Sequence, residues 1–155
     1  MLPAVYLAGA IRDGEEGDIV WREWTIEMLK HTARLLNPLG GKQYRDGSWS
    51  LHGYKPRGSV IVPHDFWMVD QCQVLVANFL AMAERYPCIG TLIEWGRATR
   101  RDVLRYAIWS PSIPLHPFVG ENAALVFSSV EACIDFLRRH LPVLAGVQPA
   151  FGAHP

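Results

Sequence analysis

Apolar and polar positions along this chain alternate between two periods, and the alternation itself predicts the fold. Residues Ala4 to Ala8 form a short apolar run ending at Gly9, the mark of a buried parallel strand. From Ile19 to Leu36 the apolar residues Val20, Trp24, Met28, Leu29, Ala33 and Leu36 recur at helical spacing until Asn37-Pro38 stops the pattern, which predicts one long helix. Residues 39 to 57 carry Gly, Ser, Lys, Arg and Tyr without a clear period and are expected to form a long loop, a candidate lid. Pro63 suits the first turn of a short helix ending near Cys72, and Val74 to Phe79 follows as a central strand. Another helix is expected from Gly90 to about Asp102 and a strand from Val103 to Trp109. Pro111, Pro114 and Pro117 then mark a rigid loop. Ala124 to Phe127 reads as a last strand, and Ser128 or Ser129 caps an amphipathic helix through Leu141. Strands alternating with helices imply an α/β domain, doubly wound in the flavodoxin or Rossmann manner. The expected sheet is five-stranded and mostly parallel, with right-handed crossovers and helices on both faces. The domain is expected over residues 1–142, with 143–155 a loosely held tail rich in Gly, Pro and Ala.

Composition narrows the chemistry. The chain has 155 residues, half of them hydrophobic, enough for one sizeable core. Fifteen basic and fifteen acidic side chains leave no net charge, so no global field draws the chain to a nucleic-acid polymer or an anionic membrane. The same balance, with six tryptophans, leads us to expect a homo-oligomer. Three widely spaced cysteines argue against a disulfide framework and fit a reducing, cytoplasmic compartment. The N-terminal apolar run is broken by Gly9 and then Arg12-Asp13, unlike a signal peptide or a membrane span. The six histidines show no short-spaced ligand set, so neither a metal nor a cofactor is expected.

In an open parallel sheet, ligands bind at the carboxyl ends of the strands. That rule gathers the loops after Ala8, after Phe79 and before the Gly90 helix, together with the segment around Asp65. Glu94 lies one turn inside that helix, where partial positive charge from unpaired N–H groups favours a carboxylate as its anion. Such a carboxylate can attack an electrophilic carbon without a separate base. It can equally be a helix-start residue that only complements the dipole, and Asp65 can be a turn carboxylate beside Pro63.

Three motifs occur in order. They are Tyr6-Leu7-Ala8-Gly9-Ala10-Ile11-Arg12, then His64-Asp65 with Val74-Leu75-Val76-Ala77-Asn78, then Gly90-Thr91 through Glu94, Gly96 and Ala98. Over residues 4–108 the chain resembles the nucleoside 2-deoxyribosyltransferases and the related nucleoside 5'-monophosphate N-glycosidases. The resemblance implies cleavage of an N-glycosidic bond by double displacement, with Glu94 attacking the anomeric carbon and the sugar passing to another base. A hydrolase releasing free base from a 5'-monophosphate is the alternative, and a silent nucleotide-binding module a second. The partners implied are a small nucleoside or nucleotide and a free base. Asp65 would contact the leaving base and protonate it, and Tyr6 would hold the nucleophile's carboxylate. Gly9, Ala10, Ile11 and Arg12 would line the sugar's 5' end, where Arg12 matches the phosphate-cradling loop of the monophosphate branch. Gly90 joins this binding set. Trp67, like Trp49 and Trp21, could stack on a base, though tryptophans at helical spacing are usually core. Cys88 departs from the family, standing where the transferases carry a sugar-gripping aspartate and the phosphate-binding hydrolases a serine. Gln73 departs too, before the central strand, where relatives often have an aspartate.

Overall fold

The computed structural model describes residues 1–12, 15–45, 48–52, 61–99 and 102–146. The chain runs β1 (Ala4–Gly9), α1 (Gly17–Leu29), β2 (Arg34–Leu36), β3 (Lys42–Arg45), β4 (Ser48–Leu51), α2 (Ile61–Gln71) and β5 (Val74–Asn78). A 3-10 turn at Leu80–Glu84 precedes α3 (Ile89–Ala98), β6 (Leu104–Ile108), α4 (Pro117–Gly120), β7 (Leu125–Phe127) and α5 (Val130–Leu144). Five strands form one sheet in the order β2-β1-β5-β6-β7, each neighbouring pair parallel. The expected five-stranded α/β sheet is present.

Both faces of the central strands are apolar, and their period of two assigns each side chain to a layer. Val5, Leu7, Val74, Val76, Tyr106 and Ile108 pack with α1 and α5. Tyr6, Ala8, Leu75, Ala77 and Ala107 point the other way, into a core shared with Met68 and Val69 of α2 and Trp95 and Ala98 of α3. Tyr6 therefore faces the layer that carries Asp65 and Glu94. The chain winds from β1 outward to β2, then returns to place β5 on the other side of β1. The switch point thus lies between β1 and β5, and in sheets of this kind ligands bind there, outside the strands' carboxyl ends. Gln73 closes the opposite end, accepting from Ala4 N at 2.7 Å while its own N–H donates to Ala4 O at 2.9 Å, so this departure from the family has a structural use.

Three expectations need correction. The helix predicted from Ile19 to Leu36 ends at Leu29, and Arg34–Leu36 is instead the edge strand β2, paired with Ala4 to Tyr6. Ala33 and Leu36 fit helical spacing and strand burial equally well, an ambiguity that only the neighbouring strand resolves. The expected lid loop holds a hairpin: β3 and β4 pair antiparallel from Lys42↔Leu51 to Arg45↔Ser48, while residues 46, 47 and 53–57 of that segment lie outside the described residues. The proline-rich stretch contains a four-residue helix, with Pro117 at its start and His116 Nδ1 accepting from Phe118 N at 3.2 Å. Ser129, rather than Ser128, caps α5, accepting from Ala132 N at 3.2 Å. That helix runs past Pro142 to Leu144, and residues 147–155 of the tail lie outside the described residues. No helix among the described residues is long and apolar enough to cross a membrane.

Candidate active site

The site assembles on the α2/α3 side of the switch point. The Tyr6 hydroxyl donates to Glu94 Oε1 at 2.7 Å, joining β1 to α3 across 88 positions of sequence. Tyr6 is fully buried. Burial first, then the neighbouring charge of Glu94, raises its phenol well above the ordinary range, so it stays a donor. Glu94 is the sixth residue of α3, and its carboxylate turns inward to that hydroxyl. At that depth the helix N-terminus has lost most of its influence, and burial dominates, pushing the carboxyl up to about 7. The Tyr6 hydrogen bond pulls it back down; Asp65 adds to the rise, and the cations Arg22 and Lys42 oppose it. The anion anticipated from helix position alone is therefore a group poised near neutrality.

Asp65, on α2, is half-buried and ion-paired through Oδ1 with the ammonium of Lys42, whose side chain is only 2% exposed. His64 Nδ1 stands 3.5 Å from the same oxygen. A bidentate pair locks α2 to α3, Arg97 Nε donating to Asp70 Oδ1 at 2.9 Å and Nη2 to Oδ2 at 2.6 Å, with the guanidinium over the Phe66 ring. This clamp fixes the helices that carry the two acids, Asp65 and Glu94.

The loop after β1 is shaped from below by Arg22, fully buried on α1. Its guanidinium donates to the carbonyls of Leu7, Gly9, Ala10 and Asp18. A side chain at Gly9 would come within 3.0 Å of Trp21 and 3.1 Å of Arg22, so packing explains this glycine without a ligand. Ala10 is buried and Ile11 half-buried beside it. Arg12 is fully engaged: Nε and Nη2 bind Asp18 at 2.8 and 2.9 Å, and Nη1 binds Glu84 at 2.5 Å. Its guanidinium also lies 5.5 Å from the Tyr86 ring centre.

Cys88 is buried at the N-cap of α3 in the left-handed region, φ 47°. A non-glycine residue held there stores strain of roughly 1–3 kcal/mol, a feature concentrated at functional sites. Burial pushes its thiol up to about 11, and the charges of Arg12 and Asp18 also act on it, which places it at the β1-loop end of the site. Trp67 is not drawn in: it is 57% exposed on α2, two residues from Asp65 and so on another face. Trp21 is core, stacked under Arg22 at 4.8 Å, and the side chain of Trp49 lies outside the described residues. Lys42 and Arg22 are the participants that sequence reading missed.

A Cβ at Gly90 or Gly96 meets nothing within 4 Å, and both glycines lie inside α3. Replacing either by alanine is expected to stabilise the fold by about 0.4–1 kcal/mol. Only Gly90→Ala is expected to lower activity, because the family resemblance implies a binding role for position 90 and none for position 96. Melting curves beside initial rates check this. Tyr6→Phe is expected to cost about 1.5–3 kcal/mol, since it strands a carboxylate without its donor, and to move the ionisation of Glu94 above about 7. A pH–rate profile superimposable on that of the unmodified protein would remove Tyr6 from the site.

No protein-family model matches the chain, and no curated protein matches its sequence. Solved structures do match its fold. A conserved protein from Enterococcus faecalis V583 superposes with a TM-score of 0.69 at 15% identity, covering 90% of this chain and 99% of that one. The 2-desoxiribosyltransferase from Leishmania mexicana superposes at 0.62 with 14% identity, covering 89% and 98%. At such identities what is shared is architecture, and the chain has the same α/β fold as the Leishmania mexicana 2-desoxiribosyltransferase.

Proposed function

We infer that the protein is an enzyme that breaks the N-glycosidic bond of a deoxynucleoside by double displacement through Glu94 and transfers the sugar to a second base. The observation that carries this reading is the Tyr6–Glu94 hydrogen bond, set on one face of the sheet beside the Lys42–Asp65 pair. Glu94 attacks C1' as the bond to the base nitrogen breaks and its electron pair leaves with the heterocycle, which takes a proton shared across the Lys42–Asp65 pair. The glycosyl ester on Glu94 is then attacked by the ring nitrogen of an incoming base, which returns a proton to the Lys42–Asp65 pair as the ester bond breaks and frees the carboxylate. Two inversions at C1' leave the configuration retained.

The engagement of Arg12 by Asp18 and Glu84 favours a nucleoside over a 5'-monophosphate, because a phosphate would have to displace a carboxylate from the guanidinium. The test is product analysis with deoxynucleosides and deoxynucleotides, with and without free base. Transfer is expected to give new nucleoside only when free base is present. Free base released from 5'-monophosphates alone would make the protein a hydrolase. Because the nucleophile must be ionised, kcat/KM is expected to rise with pH through about 7 and then level off.

A further inference from the structure

Lys42 contributes more than a neighbour to Asp65. It opens β3, outside the main sheet, yet its ammonium is almost wholly withdrawn from water. Burying an ammonium is costly unless an anion and acceptors replace its hydration, and here Asp65 Oδ1 does so. The pair stands close enough to Glu94 for both members to act on its charge. An ionised aspartate only accepts hydrogen bonds and a lysine only donates them. Asp65 Oδ2 receives no hydrogen bond from the described residues. The pair therefore offers a donor beside an acceptor, each holding the other in place.

We propose that the Lys42–Asp65 pair reads the base and selects 6-aminopurines over 6-oxopurines, with Lys42 donating to N7 and Asp65 accepting from the 6-amino group. This rests on the reading of the site as a nucleoside site. When the bond at N9 breaks, negative charge spreads over the five-membered ring to N7, so a cationic donor stabilises the departing purine best from the N7 side. The next group along that edge is the substituent on C6. In a 6-aminopurine the edge runs acceptor then donor, matching Lys42 and Asp65 Oδ2. In a 6-oxopurine it runs acceptor then acceptor, and O6 meets the Asp65 oxygen with no proton between them.

The experiment compares kcat/KM for base release from deoxyadenosine and deoxyinosine, together with the melting-temperature shift caused by free adenine and by hypoxanthine. The unmodified protein is expected to favour deoxyadenosine by about 10- to 100-fold, the range set by one unpaired buried acceptor. Adenine alone should raise its melting temperature. Lys42→Met is expected to bring the ratio to within about threefold of unity and to abolish the adenine shift. Lys42→Arg, which keeps a cation, is expected to retain the preference with a raised KM. Asp65→Asn, whose amide can turn a donor toward O6, is expected to improve deoxyinosine relative to deoxyadenosine. Should Lys42→Met not fold, the arginine and asparagine variants carry the test, since both keep the buried position polar. Equal rates on the two nucleosides, or a ratio untouched by these substitutions, would overturn the proposal. A Lys42-dependent adenine shift in a protein that releases no base would sustain it while removing the transferase reading.

Discussion

Glu94→Gln is expected to abolish base release, by on the order of 10³- to 10⁶-fold, while leaving nucleoside affinity largely intact. The amide keeps an oxygen to accept from Tyr6 but cannot form the glycosyl ester. The same substitution is expected to stabilise the protein, and the sign depends on pH. In the folded chain the carboxyl is pushed up to about 7 from its ordinary 4.5. Below that window both states hold the proton, and Glu94 costs nothing. As pH rises through it, the unfolded chain releases its proton while the folded one still holds it, so stability falls, and the full cost is present above about 7. That cost is about 1–3 kcal/mol, discounted because the residue keeps some contact with solvent. At about pH 8 the variant should therefore melt several degrees higher than the unmodified protein, at roughly 2–4 °C per kcal/mol, and at about pH 4 the two should coincide. Residual turnover within tenfold of the original would remove Glu94 from the chemistry, whatever the melting curves show.

What the sequence disclosed was the frame that position 94 occupies. The apolar runs at β1, β5 and β6 are long or pure enough to be strands, and their alternation brings Tyr6, Asp65 and Glu94 to one layer. Short elements were another matter. The Leu35-Leu36 pair of β2 is too brief to carry its own period, and its apolar positions also continue the spacing of the helix before it. The β3–β4 hairpin did leave a signal in the sequence, since an Asp-Gly pair follows Arg45, a dipeptide that favours hairpins. Missing it meant missing Lys42, which that hairpin delivers to Asp65. The sharper limit concerns buried cations. A lysine or arginine in sequence looks the same whether solvated or enclosed, and the prior favours solvent. Arg12, expected at the sugar's 5' end, is held by two carboxylates, and Arg22, which no motif marks, lies beneath the loop.

Arg22→Met is the second large effect. Two consequences of removing the guanidinium oppose each other. Burial has lowered Arg22 to about 10, so the folded chain carries a cost for this charge that methionine relieves. Against that, the carbonyls of Leu7, Gly9, Ala10 and Asp18 lose their shared donor, at about 1–3 kcal/mol for each one left buried and unpaired. Several stranded acceptors outweigh one relieved charge, and the net loss is expected at about 3–5 kcal/mol, a fall of roughly 10 °C in Tm. The substitution also withdraws a cation that favours ionised Glu94, so the rise of kcat/KM with pH should move above about 7. Arg22→Lys separates the two effects. Its ammonium restores the charge, but three N–H groups on a point-like head cannot span four carbonyls, so the pH profile should recover more than the stability does. If both variants melt with the unmodified protein, the loop after β1 is held by something other than Arg22. If stability falls while the pH profile stays fixed, Arg22 supports the backbone alone, and the charge of Glu94 is governed by Tyr6, Lys42 and Asp65.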